Sequence, residues 1–234
     1  MPDSSEPGGS PIWLVEIRRA LAMLALASLA ACQGGTAATT VTVGEGADDP
    51  VAAVEELRSL LAAGDFDGAG SLAVPGQAGL ASLTEGATAS AVAATLEGGD
   101  GEVAANFWSG FAQGAGEAFS GEITVEQVGT TSESGVEFFL VGVTPEGGVE
   151  RVMVTRDVDG QRIDLFATFG AGLAEGMIPP VELLLGSSNA NAQAIMGALQ
   201  DIVPSLLVAA TDDGLSADAV QDILQLVELI TRAG

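Results

Sequence analysis

The chain holds one thiol, Cys32, and neither histidine nor tyrosine in its 234 residues, so nucleophilic and proton-transfer chemistry falls on that thiol and on carboxylates. His-dependent triads, His metal sites and Tyr acids are excluded. Among the carboxylates, Asp164 has the setting best suited to catalysis, in a stretch of alternating apolar and polar residues from Gln161 to Phe169. A strand acid facing a pocket can act as a general base. With Arg162 and Thr155 as its expected neighbours, Asp164 reads first as a member of an ion pair or hydrogen bond. Asp157, Asp159 and the pairs Asp65/Asp67 and Asp212/Asp213 resemble pieces of a calcium loop, but none is followed by the distal Glu. Asp beside Gly is ordinary turn chemistry. Phe107, Trp108 and Phe111 could line a ligand cavity; at helical spacing they read as core. No catalytic residue, metal or cofactor is expected, and no ligand-binding residue can be assigned.

Cys32 is informative through its position. It closes an apolar run, Ala20 to Ala31, that follows Arg18 and Arg19 directly, which is the layout of an export signal. The stretch Leu29-Ala30-Ala31-Cys32 resembles the lipobox of bacterial lipoproteins. That resemblance implies diacylglyceryl transfer to the Cys32 thiol, cleavage before Cys32, and often a third acyl chain on the new amino group. The protein is then expected to be exported and anchored to the outer face of the bacterial cell membrane. A run of 12 residues is short for a transmembrane helix, which needs about 20. An ordinary cleaved signal is the alternative, and would leave an unpaired thiol at the mature terminus. Met1 to Leu14 is long and acidic for the start of a signal, and translation beginning near Val15 would give the same mature chain.

Removing residues 1–31 leaves 29 acids against five arginines, a net charge of −24, with no lysine. Nucleic acid and bare anionic lipid are therefore not expected partners. Hydrophobic residues make up 47% of the sequence, enough for a core without disulfides.

Gln33 to Asp48 is rich in Gly, Thr and Ala and lacks a helical period. It reads as a tether, and as a flexible coil of 16 residues it would span roughly 20–25 Å. Asp49-Pro50 then opens an amphipathic helix, with Val51, Val54, Leu57, Leu60 and Leu61 on one face and Gly64 as the stop. A short helix follows through Leu72 and is broken at Pro75-Gly76. The helical signal is weak from Leu80 to Leu96 and strong from Glu102 to Phe119. At Glu122 the period changes to two, predicting strands over Glu122 to Val128, Val136 to Val143, Val149 to Asp157 and Gln161 to Phe169.

Two-residue turns at Asp159-Gly160 and within Glu146-Gly147-Gly148 would place Phe139, Val141 and Val143 on one face with Val152, Val154, Ile163, Leu165 and Phe169. The opposite face would carry Val136, Phe138, Leu140, Met153 and Phe166 beside Arg151, Arg162 and Asp164. So many apolar residues on a second face predict a cover. The cover is expected from Asn189 to Arg232 of the same chain, with Ile223, Val227 and Ile230 contributing; a second copy of the chain is the alternative. Beyond Gly170, Pro179-Pro180 starts a short apolar turn, Pro204 should kink a helix over Asn189 to Ala210, and Ser216 caps a final helix.

The expected fold class is thus α+β, with N-terminal helices packed on a four-stranded antiparallel meander and a C-terminal helical extension. The expected division is a signal peptide at 1–31, the acylated Cys32 and tether at 32–48, an α+β domain at 49–169, and the extension at 170–234. Asp49-Pro50, Gly64-Asp65-Phe66-Asp67 and Asp157-Val158-Asp159-Gly160, within helices followed by a meander, resemble the nuclear-transport-factor-2-like (cystatin-like cone) superfamily. The resemblance implies a cone that can hold a ligand, and carries no functional residue over. Three functions fit: a non-enzymatic envelope lipoprotein binding a protein partner or a small apolar ligand, a cone-fold enzyme using Asp164, or an assembly factor whose C-terminal helices self-associate as a homodimer.

Overall fold

The computed structural model describes residues 46–232, and for residues 115–120 the backbone alone. Cys32, the signal stretch and most of the tether lie outside the described residues. Helix α1 (Pro50–Ala63) starts where Asp49 accepts a hydrogen bond from the Ala52 amide at 2.9 Å, and stops at Gly64 in the left-handed region (φ 71°). Short helices α2 (Phe66–Ser71) and α3 (Gln77–Ala81), a 3-10 turn (Ser82–Glu85) and α4 (Ala89–Gly98) follow. Helix α5 (Gly101–Ser120) leads into the sheet.

Strands β1 (Ile123–Glu133), β2 (Val136–Pro145), β3 (Arg151–Asp157) and β4 (Gln161–Ile163) form an antiparallel meander in sequence order. The first hairpin is longer than the sequence suggested, because β1 continues past Val128 to Glu133. A bulge between Gln127 and Gly129 interrupts its register. Ser134 and Gly135, both at positive φ, make its turn.

The next two hairpins close through odd numbers of residues, five at 146–150 and three at 158–160, where two were expected. Val143 pairs with Arg151 and Asp157 with Gln161, so residues 158–160 form the second loop. Each change from an even to an odd loop inverts which side chains share a face. The two inversions cancel between β2 and β4 and leave β3 turned over. Met153 and Thr155, not Val152 and Val154, therefore lie with Val141, Val143 and Ile163.

That face packs on the N-terminal helices, in a core that includes Val54, Leu57, Val141, Met153 and Ile163. On the other face Phe138 and Val154 pack with Ala167 and Val208, flanked by Val136 and Leu140. The cover of this second face is intramolecular, from the first turn of α6 and from α8.

The fourth strand ends at Ile163, and Leu165 to Phe169 belong to helix α6 (Leu165–Leu185). Asp164 is the N-cap of that helix, accepting from the Ala167 amide at 2.9 Å. The backbone groups of Val154 that a longer β4 would have paired are still met. Its carbonyl accepts from the Asp164 amide, and its amide donates to Oγ1 of Thr168 at 3.0 Å. A short apolar run such as Leu165-Phe166-Ala167 fits either period, and the cap decides in favour of helix. Phe166 consequently joins the main core. Pro179 and Pro180 lie inside α6, where a separate turn was expected, and the helix runs through residues 169 and 170 without a break.

Helices α7 (Ala190–Asp201) and α8 (Val203–Ala209) meet at a bend of 46° beside Pro204. The last helix, α9 (Ala217–Thr231), is capped by Ser216 and buries Ile223, Leu226 and Ile230. It packs chiefly on α6, so Ile223 and Ile230 belong to the main core, with Val227 packed against it, and not to the cover of Phe138.

The outer edge of β4 is covered by residues 46–47 and, at Ile163, by residues 72–74. Ala47 bridges Gln161, and Gly46 lies so close to Gly160 that a Cβ on Gly46 would stand 2.6 Å from the Gly160 carbonyl carbon. A glycine pair is the residue choice that permits this crossing. Because Phe138 is fully buried on the second face and Phe139 is only partly covered on the first, their truncations should separate. Phe138→Ala should cost about 3–5 kcal/mol and Phe139→Ala less than half of that, read as shifts in urea midpoint at constant slope.

Candidate functional site: a cleft beside the Asp164–Arg156 pair

Asp164 has no exposed surface, and its two carboxylate oxygens are engaged by three elements. Oδ1 accepts from the Ala167 amide in α6. Oδ2 accepts from Oγ of Ser205 in α8 at 2.8 Å and stands 3.1 Å from Nε of Arg156 in β3. The last contact is an ion pair by distance, without hydrogen-bond alignment at Nε. Arg156 is the cation that the sequence did not assign. The expected neighbours go elsewhere: Thr155 donates to Oε1 of Gln161 at 3.0 Å, and Arg162 donates to the carbonyls of Val158 and Ser71. Burial lowers the Arg162 pKa from its ordinary value, and the charge of Asp159 opposes that shift.

Arg156 keeps 16% of its side-chain surface and lines a cleft of ≈ 340 Å³ between α4 and α7. The volume is within the range of small-molecule sites, roughly 300–1,000 Å³. Leu80, Leu96, Ala198 and Ile202 supply its apolar wall, and Glu97 and Asp201 its acids. Gln77 also borders it. Oε1 of Gln77 accepts from the Leu165 amide at 2.6 Å, while its Nε2 is buried without a partner. Such an orphaned donor costs about 1–3 kcal/mol unless something meets it.

Nearby Asp100 accepts from the Ala78 amide at 3.1 Å, in the first turn of α3. Burial raises its pKa, against hydrogen bonds from Gly76, Ala78 and Gly79 that lower it.

The other sequence candidates are accounted for structurally. Asp65 accepts from the Gly68 amide, Asp157 from that of Gly160 and Asp212 from that of Gly214, each within its own turn. Among the described residues no group of three or more metal-ligating side chains gathers. Phe107, Trp108 and Phe111 form an aromatic cluster with Phe169, with ring centroids 5.3–6.1 Å apart and Trp108 fully buried. Arg156 and Gln77 carried little signal of their own. Only the turned-over β3 brings Arg156 to the face where α6 begins.

Fold and site together define an α+β domain with a helix-wrapped meander and a buried carboxylate at the junction of the sheet and the C-terminal helices. No family model, curated protein or solved structure matches the chain.

Two stability measurements check this site. Asp164→Asn keeps a capping oxygen for Ala167 but removes the charge facing Arg156. Breaking a fully buried pair costs about 3–5 kcal/mol, and because Arg156 still reaches water the expected loss is about 2 kcal/mol. For Asp100 the folded state holds its proton to higher pH than the unfolded state, so its contribution is complete at low pH and is lost as pH rises through the folded pKa. The melting temperature of the wild type relative to Asp100→Asn should therefore fall as pH rises through and above the ordinary carboxylate range; a difference that stays constant as pH rises would contradict the assignment.

Proposed function

We propose that the protein is an exported, membrane-anchored lipoprotein whose folded part is a non-enzymatic binding module for a small apolar ligand or a protein partner. The observation that carries the non-enzymatic reading is the state of Asp164. Both of its oxygens are engaged and the side chain has no exposed surface, which keeps the carboxylate out of contact with a substrate proton. The cone-like resemblance belongs to the same proposal, supported by helices packed on an antiparallel meander.

The anchor rests on Leu29-Ala30-Ala31-Cys32, and a tether ending before Gly46, where the chain joins the edge of β4, would let the domain stand clear of the lipid headgroups. Among the described residues no single helix is long and apolar enough to cross a membrane. Stable attachment needs two or more acyl chains, which acylation at Cys32 would supply. Cys32→Ser should move the protein from the detergent-dependent membrane fraction to the soluble fraction; retention of the mutant in that fraction would overturn the anchor.

One observation favours the assembly-factor reading. Leu183 on α6 and Leu224 on α9 remain 78% and 49% exposed on helices that pack together. Melting that rises with protein concentration would support self-association there.

A further inference from the structure

We infer that the cleft between α4 and α7 binds a neutral, carbonyl-bearing apolar small molecule, with Arg156 and Gln77 at its oxygen and Leu80, Leu96 and Ile202 along its body. This rests on the binding-module reading and deepens it, and does not depend on the lipid anchor.

The polar side of the cleft offers donors. Among the described residues the Arg156 guanidinium meets Asp164 alone, through Nε, which leaves the terminal nitrogens of a cleft-lining group to other acceptors. Gln77, 2% exposed, adds a buried amide nitrogen without a partner. Arginine and a carboxamide NH2 only donate, so the group they fit is an acceptor such as a ketone, ester or amide oxygen.

Charge decides between a neutral acceptor and an anion. The positive charge of Arg156 is already balanced by Asp164, and Glu97 and Asp201 add two carboxylates to the lining. An anion entering the cleft would meet net negative charge in a chain that is strongly acidic throughout. A neutral ligand takes the donors without that repulsion. The remaining wall is aliphatic, and the ≈ 340 Å³ volume suits a body of one or two rings.

The test uses the full chain carrying Cys32→Ser, free of detergent, with two fluorescent probes of similar size. PRODAN is a neutral naphthyl ketone, and 1-anilinonaphthalene-8-sulfonate is an anion. PRODAN should bind saturably at one site with blue-shifted emission. Ala194→Trp, which fills the cleft from an exposed position on α7, should weaken binding at least tenfold, whereas the neighbouring Gln193→Trp, outside the lining, should leave it unchanged. Arg156→Lys keeps a charge beside Asp164 but loses the planar donor fork, and should weaken PRODAN by about tenfold. Unchanged melting of the Ala194→Trp protein shows that the loss is local.

PRODAN failing to bind, or binding equally to Ala194→Trp or to Arg156→Lys, overturns the inference. Tighter binding of the sulfonate that Ala194→Trp abolishes would overturn the neutral ligand class and leave the binding-module reading standing. Chemical conversion of a bound ketone or ester by the protein would overturn the binding-module reading itself.

Discussion

A carboxylate removed from water must have its charge and its lone pairs answered, and Asp164 is where this protein meets that demand. The answers come from a helix amide, a hydroxyl on α8 and a guanidinium on β3. One side chain thereby fixes the end of β4, the start of α6 and the approach of α8. The cover of Phe138 follows from the same geometry, because Ala167 and Val208 reach it from the two helices that Asp164 holds. The arrangement also orients Arg156, whose remaining surface opens on the cleft between α4 and α7. The fold and the candidate cleft share a single constraint.

The hairpin loops supply a second constraint of a different kind. Side chains alternate strictly along a strand, so adding one residue to a loop exchanges its faces. Both later hairpins have loops of odd rather than even length, and the changes cancel everywhere except in β3. Had β3 kept the expected orientation, Arg156 would have faced the N-terminal helices, and Asp164 would have lacked its cation. The second face would also have lost Val154. The position of the candidate site is therefore set by loop geometry as much as by the residues that form it.

Much of the architecture was legible because it depends on local signals. Asp49-Pro50 and Gly64 bounded α1, Ser216 opened α9, Pro204 marked the bend, and the change to a period of two located the sheet. Each of these acts within a turn or two of itself. The stretch after Ile163 was misread because alternation over five residues does not separate strand from helix, and the deciding cap bond comes from a residue first read as a strand acid. Likewise Pro179 and Pro180 looked like a boundary and were absorbed into α6.

The sequence by itself determined the fold class, the antiparallel order of the sheet, the acidic surface, and the absence of histidine and tyrosine chemistry. Those properties follow from composition and from short-range periodicity. Only the tertiary structure decided which face Arg156 occupies, that Asp164 serves as a buried cap, and that Gln77 keeps an unmet donor beside a cleft. Each of those depends on contacts between residues far apart in the chain, such as Leu165 with Gln77 and Asp164 with Ser205, and such pairs leave no mark in the spacing of residues along it.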